Sequence, residues 1–456
     1  MRIHHGSVPA LGIGATAVLI ALAPTTAANT AAQASAHTTT VKPIPASAGH
    51  IDARTLVSPL PTSQCVAQLG IHCYSPLQYR VAFGLNDLYQ HHITGQGRTI
   101  MIVDSFGSPT IQHDLDTFDA QWGLPATTVQ IVQAGVIPPF DPTNSDMLGW
   151  AGETSLDVEY AHSIAPGAKI VLVETPVSET EGVQGFPEMM HAEESLIDKG
   201  VGDVISQSFG ATENTFPGFA QGDFSSLLAL RFAFKAAAEH GVTVLASSGD
   251  SGATDAELDG STLYPFRVNS WPSSDPLVTS VGGTQLTLND TGTRLSPDVV
   301  WNDGFGAGGG GLSGVFERPE FQDGVAGVVG DQRGTPDISM PASVDGGAWV
   351  YYSFNPARVG WHIIGGTSEA SPIFSGIVAL ADQVAGHRLG NINTALYELG
   401  LGKHSEHAGI VDVTSGNNSF AGVTGFSATS GYDLASGWGT IDAPDFVKAL
   451  AHESEH

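Results

Sequence analysis

Basic residues are scarce in this chain: 17 Lys and Arg stand against 46 Asp and Glu in 456 residues, a formal charge of −29 with His neutral. So few cations cannot neutralise a phosphate backbone, which excludes nucleic acid as a partner. The excess of acids repels itself at neutral pH and relaxes as carboxylates protonate, which points to acidic working conditions; acidity kept for solubility is the competing reading. Cysteine is almost absent, with only Cys65 and Cys73 present. Past the N-terminus no segment is long and apolar enough to span a bilayer. The Gly-rich run from Gly304 to Gly311 lacks the Lys of a phosphate-binding loop, and no internal repeat is found.

What is present begins with an export signal. Arg2 precedes an apolar stretch over 10–23, and Ala34-Ser35-Ala36 offers a cleavage site, so residues 1–36 read as a signal peptide. The chain is therefore expected to be secreted, to act outside the cell and to be free of the membrane after cleavage. In that setting a local Cys65–Cys73 disulfide is the natural pairing, with two buried free thiols as the alternative. Residues 37–63 are rich in Thr, Ser, Ala and Pro, the composition of a mobile leader. The expected organisation is a short propeptide or linker over 37–73, one large domain over 74–450 and a tail over 451–456.

Within that large domain, apolar strands alternate with helices. Arg98 to Val103 is a β-branched run that stops at Asp104. Glu153 to Ala165 has helical spacing and ends at Pro166-Gly167. Strands follow over 169–174, 203–208 and 242–247. A helix is expected over 227–240, packing through Leu228, Leu230, Phe232 and Ala236, with Gly241 as its stop. This rhythm predicts an α/β fold with a central, mostly parallel sheet and helices on both faces. Sites in such sheets gather beyond the carboxyl ends of the strands, where Asp104 and Asp250 fall.

Three constellations carry chemistry. Gly365-Gly366-Thr367-Ser368 is followed by helical periodicity over 369–385, with Ile373, Phe374, Ile377, Leu380 and Ala381 near one face and Pro372 placed in the first turn. Ser368 is thus expected at a helix start, where free N–H groups favour a developing anion; an ordinary helix cap is the competing reading. A nucleophilic serine needs a base. No His-Gly-Thr helix start exists, but Glu153 and Asp157 lie four residues apart, on one helix face and close enough to share a proton. A solvated helix face is the bland alternative. Third, Asp250 sits in the Gly-flanked turn Ser247-Ser-Gly-Asp-Ser-Gly252 after a buried strand. When neutral it would donate a hydrogen bond to an oxyanion; otherwise it is a turn former.

These elements resemble the sedolisins, the serine-carboxyl peptidases with a subtilisin-like three-layer fold. The resemblance rests on Gly152-Glu-Thr-Ser-Leu-Asp157, Ser206-Gln-Ser-Phe-Gly210, Ser247-Ser-Gly-Asp-Ser-Gly252, Val281-Gly-Gly-Thr284 and Gly366-Thr-Ser-Glu-Ala-Ser-Pro372. It implies Ser368 as nucleophile, Glu153 as base and acid, Asp157 as its orienting partner and Asp250 as oxyanion donor. It further implies that Ser208, Phe209 and Gly210 form the edge that pairs with an extended peptide, and that Asp104 extends the acid chain. One structural Ca2+ is implied at Asp412, Val413, Thr429, Gly431 and Asp433. The implied enzyme is a monomeric endopeptidase acting on peptides or denatured proteins in acid. The sequence departs from the family at Gly365 where Ser is common, at Phe209 where Trp is frequent and at Thr429 where Gly is usual. Its segment between signal and core is also shorter than the family's prodomain. Three rivals remain: a peptidase using His162 as base, a catalytically silent binding protein, and a glycosidase built on the acid pair.

Overall fold

Eight strands form the central layer: β1 (Thr99–Ser105), β2 (Gln130–Gln133), β3 (Lys169–Thr175), β4 (Val204–Gln207), β5 (Thr243–Ser247), β6 (Thr279–Gln285), β7 (Val299–Val300) and β8 (Ile338–Pro341). This is a computed structural model that describes residues 49–56, 58–402 and 408–453, all within the compact unit Thr40–His456. The expected signal segment lies outside the described residues. Strand order is β7-β6-β5-β4-β1-β3-β2, with β8 also paired to β6. Every pairing is parallel except β6 with β7.

The strand sequences explain the layering. Successive side chains point to opposite faces, so a strand apolar at every position feeds two cores. Ile100, Ile102, Ile170, Leu172 and Leu245 enter one cluster, while Met101, Val103, Val171, Val173 and Val244 enter the other. The helices α1 (Ser145–Ile164), α4 (Thr367–Ala385) and α5 (Ala443–Glu453) cover the first face; α2 (Phe186–Ile197) and α3 (Phe232–Glu239) cover the second. The three-layer fold expected from the sequence is the one observed.

Several boundaries differ from the expected ones, each for a physical reason. Helix α1 begins at Ser145, well ahead of Glu153, because the Asn144 side chain accepts the N–H groups of Asp146 and Met147 at 2.8 and 3.2 Å. The helix expected over 227–240 is three short pieces, Ser225–Leu228, Ala229–Arg231 and α3. Its packing face is Leu227, Leu230, Ala233, Phe234 and Ala237, while Leu228 is 41 % exposed. Pro372 is the sixth residue of α4, past the first turn. It therefore removes the N–H that would have bonded the Ser368 carbonyl. At the C-terminus α5 runs to Glu453, beyond the expected edge of the domain at residue 450.

Residues 49–56 and 58–73 pack with the body. Gly49–Leu56 pairs antiparallel with Gly360–Gly365, which pairs with Gly347–Tyr352, and that strand lies parallel to Cys73–Tyr74. Cys65 and Cys73 form a disulfide that ties the helix Thr62–Leu69 to this sheet. The second sheet delivers the chain directly into α4. At that junction Gly366 has φ 136°, which disfavours any side chain. A Cβ at Gly365 would lie 2.8 Å from the Ala342 carbonyl oxygen and 2.7 Å from the Val344 nitrogen, so the Ser common at this position would not fit.

Candidate active site

The site lies at the carboxyl ends of β1, β4 and β5, against the first turn of α4. Helix α1 is buried on all sides from Trp150 to Ile164, and it carries Glu153 at 2 % and Asp157 at 0 % exposure. That burial removes the solvated-face reading of the acid pair. Asp157 Oδ1 accepts the Ser208 hydroxyl at 2.9 Å, and Ser208 Oγ lies 3.4 Å from the Ser368 carbonyl oxygen. That carbonyl is the one Pro372 leaves without its helical donor, so the proline makes room for the link between acid helix and serine helix. Asp104 Oδ2 accepts the Thr154 hydroxyl at 2.8 Å.

Burial and mutual repulsion set the protonation of these acids. Burial first, then the charges of Asp104 and Glu153, push Asp157 well above the usual carboxylate range, against the Ser208 hydrogen bond. Asp104 is pushed up to about 7 by burial, with Glu174 adding to the rise and the Thr154 hydroxyl opposing it. Glu174 faces Asp104 across the β1–β3 ladder. Asp104 and Asp157 thus favour holding protons, with the buried carboxyl of Glu153 acting on Asp157 from the same helix.

Ser368 is fully buried as the second residue of α4, and the residue preceding the helix is Gly366. A side-chain cap role for Ser368 is therefore removed, and its backbone N–H lies among those of a first helical turn that lack intrahelical acceptors. Asp250 joins the helix one residue earlier. Its Oδ1 accepts the Thr367 backbone N–H at 2.7 Å and lies 2.9 Å from Thr367 Oγ1. Thr367 Oγ1 also accepts the Gly249 N–H at 3.0 Å. The Thr367 hydroxyl also lies 3.2 Å from the Gly249 carbonyl oxygen, so the Thr367 N–H is the donor that commits Oδ1, and a proton on this carboxyl is favoured on Oδ2.

Other expected residues fall as follows. Phe209 is fully buried in the second core, edge-on to Phe186 with ring centroids 6.0 Å apart, so this segment has only backbone to offer a peptide at that position. Gly210 sits against the Trp271 carbonyl, with room for no larger residue without a shift. His162 donates from Nε2 to the Pro125 carbonyl at 2.9 Å and lies 3.3 Å from Asp119. It is nine residues along α1 from Glu153, about 13 Å of helix rise, so it is not a base for this serine. Thr154 and Thr367 were not singled out from sequence. Each adjoins a singled-out residue in a quoted motif, but what a hydroxyl touches there is a tertiary fact.

The implied metal residues share one loop layer. The Gly431 N–H reaches Asp412 Oδ2 at 2.9 Å, and the Thr429 N–H reaches Asp433 Oδ2 at 2.7 Å. Ser436 Oγ lies 3.4 Å from the Val413 carbonyl oxygen and 3.1 Å from Asp433 Oδ1. Among the described residues no group of three His, Cys, Asp or Glu converges on one point. Two carboxylates supplemented by backbone carbonyls therefore suit a hard cation better than a soft one. A Cβ placed at Gly431 would meet nothing within 4 Å, so there is open space beside the pair.

A parallel sheet flanked by helices, with a serine at the head of a central helix, defines the class of subtilases. The subtilase family model matches residues 147–393, just over half of the chain. Kumamolisin of Bacillus sp. (strain MN-32) is 31% identical over 83% of this chain, and sedolisin of Pseudomonas sp. (strain 101) is 33% identical over 76%. Tripeptidyl-peptidase 1 of Rattus norvegicus is 31% identical over 66%. The structure of Pseudomonas sedolisin, a serine-carboxyl proteinase, complexed with two molecules of pseudo-iodotyrostatin, superposes with a TM-score of 0.68 at 28% identity, covering 84% of this chain and 99% of that one. The chain belongs to the subtilase family and, within it, to the sedolisins. It spans 63%, 57% and 52% of the lengths of these three curated relatives.

Proposed function

We propose that this protein is a secreted serine-carboxyl endopeptidase that cleaves peptide bonds of peptides or denatured proteins through an acyl-enzyme in acid. Ser368 Oγ attacks the scissile carbonyl while Glu153 takes its proton. Asp157 shares that proton with Glu153, which keeps the base oriented and able to return the proton to the leaving amine. The developing oxyanion is met by Asp250 Oδ2–H and by the Ser368 backbone N–H at the head of α4. Ser208, Phe209 and Gly210 supply the edge along which an extended substrate pairs. The observation that carries this reading is the donation of the Thr367 N–H to Asp250 Oδ1 at 2.7 Å, which favours Oδ2 as the place of any proton on Asp250. An acid used in this way must be neutral, hence the acid requirement.

The loops of Asp412 and Asp433 would hold one structural Ca2+, with carbonyls from Val413, Thr429 and Gly431. Bound there, the ion would supply charge compensation for the two carboxylates and cross-link two C-terminal loops. The enzyme would act as a monomer, with no nucleic acid partner. Acid quenching after mixing with an activated acyl ester tests the acyl-enzyme: peptide mapping by mass spectrometry is expected to place the acyl group on Ser368. An adduct elsewhere, or none despite turnover, contradicts the reading.

A further inference from the structure

Both chain neighbours of Ser368 are anchored through a carboxyl group. Thr367 is held by Asp250. Glu369 is held by Tyr79, whose hydroxyl oxygen lies 2.5 Å from Glu369 Oε1. The same hydroxyl oxygen lies 3.3 Å from the Gly346 carbonyl oxygen. Glu369 and Tyr79 are fully buried, and Glu369 Oε2 has no hydrogen-bond partner among the described residues. The proposed mechanism gives Glu369 no task.

Counting protons fixes how these bonds run. A phenol carries one proton, and a peptide carbonyl only accepts. Both bonds form together only if Glu369 donates from Oε1 to Tyr79 and Tyr79 donates to Gly346. Glu369 is then a neutral acid. An ionised Glu369 would claim the Tyr79 proton, release the Gly346 carbonyl and leave a buried charge with one oxygen unpartnered. Burial favours the neutral form too, raising Glu369 well above the usual carboxylate range against the Tyr79 hydrogen bond. The titratable groups acting with it are Tyr74, Tyr79 and Tyr160, on three separate elements, and none of them is a cation.

These bonds join the elements that place the nucleophile. Gly346 leads into the strand Gly347–Tyr352, which pairs with Gly360–Gly365, the strand that delivers the chain into α4. Tyr79 lies on the helix Pro76–Ala82, and its ring packs edge-on against Tyr160 of α1, three residues past Asp157, with centroids 5.9 Å apart. One hydroxyl thus connects the head of the serine helix with the sheet that feeds it, and its ring rests on the helix of the acid pair. We infer that Glu369 is a positioning residue for Ser368: as a neutral acid it locks the start of α4 through Tyr79 and Gly346, and its ionisation unlocks that turn. This rests on the peptidase reading above. It adds an acid requirement that lies in the support of the nucleophile, separate from the one that lies in the chemistry.

The test compares two substitutions of this residue. Glu369→Gln keeps a donor for Tyr79 at every pH, and Glu369→Leu fills the space without one. In the Leu variant, kcat on a quenched fluorescent peptide at pH about 4 should fall about three- to tenfold with KM kept, the size of one hydrogen bond. The Gln variant should restore that kcat. Tyr79→Phe breaks the link at its centre and should behave as the Leu variant does; it carries the comparison where the Leu variant does not fold. The raised value of Glu369 in the folded state makes its contribution to stability full below the ordinary Glu value, about 4, and lost as pH rises through the folded one. The melting temperature of the Gln variant should therefore fall less than that of the wild type between pH about 4 and about 8. Equal kcat in the Gln variant and the donor-free variant, or melting of the Gln variant that tracks the wild type across this interval, overturns the inference and leaves the peptidase reading standing. Failure of the wild-type protein to cleave any peptide in acid overturns the peptidase reading, and this inference with it.

Discussion

At the scale of single residues, Asp250 carries, in the proposed mechanism, the chemistry that separates this site from a serine–histidine one. Its Oδ1 is fixed by Thr367, so the useful oxygen is Oδ2, and it donates only when protonated. Asp250→Ala removes the donor and should lower kcat by about 10²–10³-fold, as loss of one oxyanion donor does elsewhere. Asp250→Asn keeps an acceptor for Thr367 and supplies an amide donor that needs no proton. The Asn variant should therefore exceed the Ala variant, with its advantage largest at the alkaline end of the pH–rate profile. Equal activity of the two across pH would mean that Asp250 is not a donor. Asp250, Ser368, Glu153 and Asp157 were singled out from sequence because each stands in a motif of distinctive composition. Thr367 and Thr154 were not, because their hydroxyls act on partners 117 and 50 residues away.

At the scale of elements, two helices meet through an exception in one of them. Pro372 denies α4 a hydrogen bond, and the freed Ser368 carbonyl faces Ser208, which also holds Asp157. Restoring the N–H with Pro372→Ala should leave the thermal midpoint unchanged or higher while lowering kcat/KM. A fall in both together would mean that the proline serves packing alone. In the C-terminal loops, the proposed Ca2+ binds only the folded state and so stabilises it by mass action. Chelation should lower the melting temperature by several degrees, about 1–3 kcal/mol of stability, and Asp412→Asn should abolish that response. Melting unaffected by chelator in the wild type would remove the calcium site.

Element placement also shows where sequence reading stops. The strands were legible because β-branched runs such as 99–103 have one stable use in a sheet buried on both faces. The start of α1 was not, since residues 145–152 include Gly149 and Gly152 and the helix is buried all round, leaving no amphipathic period to read. Likewise the 225–239 region contains enough Ala and Leu to suggest one continuous helix, but it bends through a short tight turn at Ala229–Arg231 and so rotates its buried face.

At the scale of the whole molecule, buried carboxyls set how stability responds to pH. Burial pushes Asp104 and Glu213 up to about 7, and Glu193 and Asp382 up to about 8. In the unfolded chain the same groups titrate near pH about 4, so folding favours their protonated forms. Their contribution is full below the unfolded value and is lost as pH rises towards 7 and 8, the folded values. The growing repulsion of a chain with 46 acids and 17 bases acts in the same direction. The melting temperature should accordingly fall between pH about 4 and about 8, and a rise over that interval would contradict the protonation states assigned to the core. Stability and the proposed catalysis thus call for the same acid conditions. The most direct test of the whole account is the pH–rate profile on a denatured protein substrate, measured for the wild type and for Ser368→Ala. The account predicts activity that peaks in acid, near pH about 4, and vanishes in the Ala variant. A peak above neutrality, or equal activity of the two proteins, would contradict it.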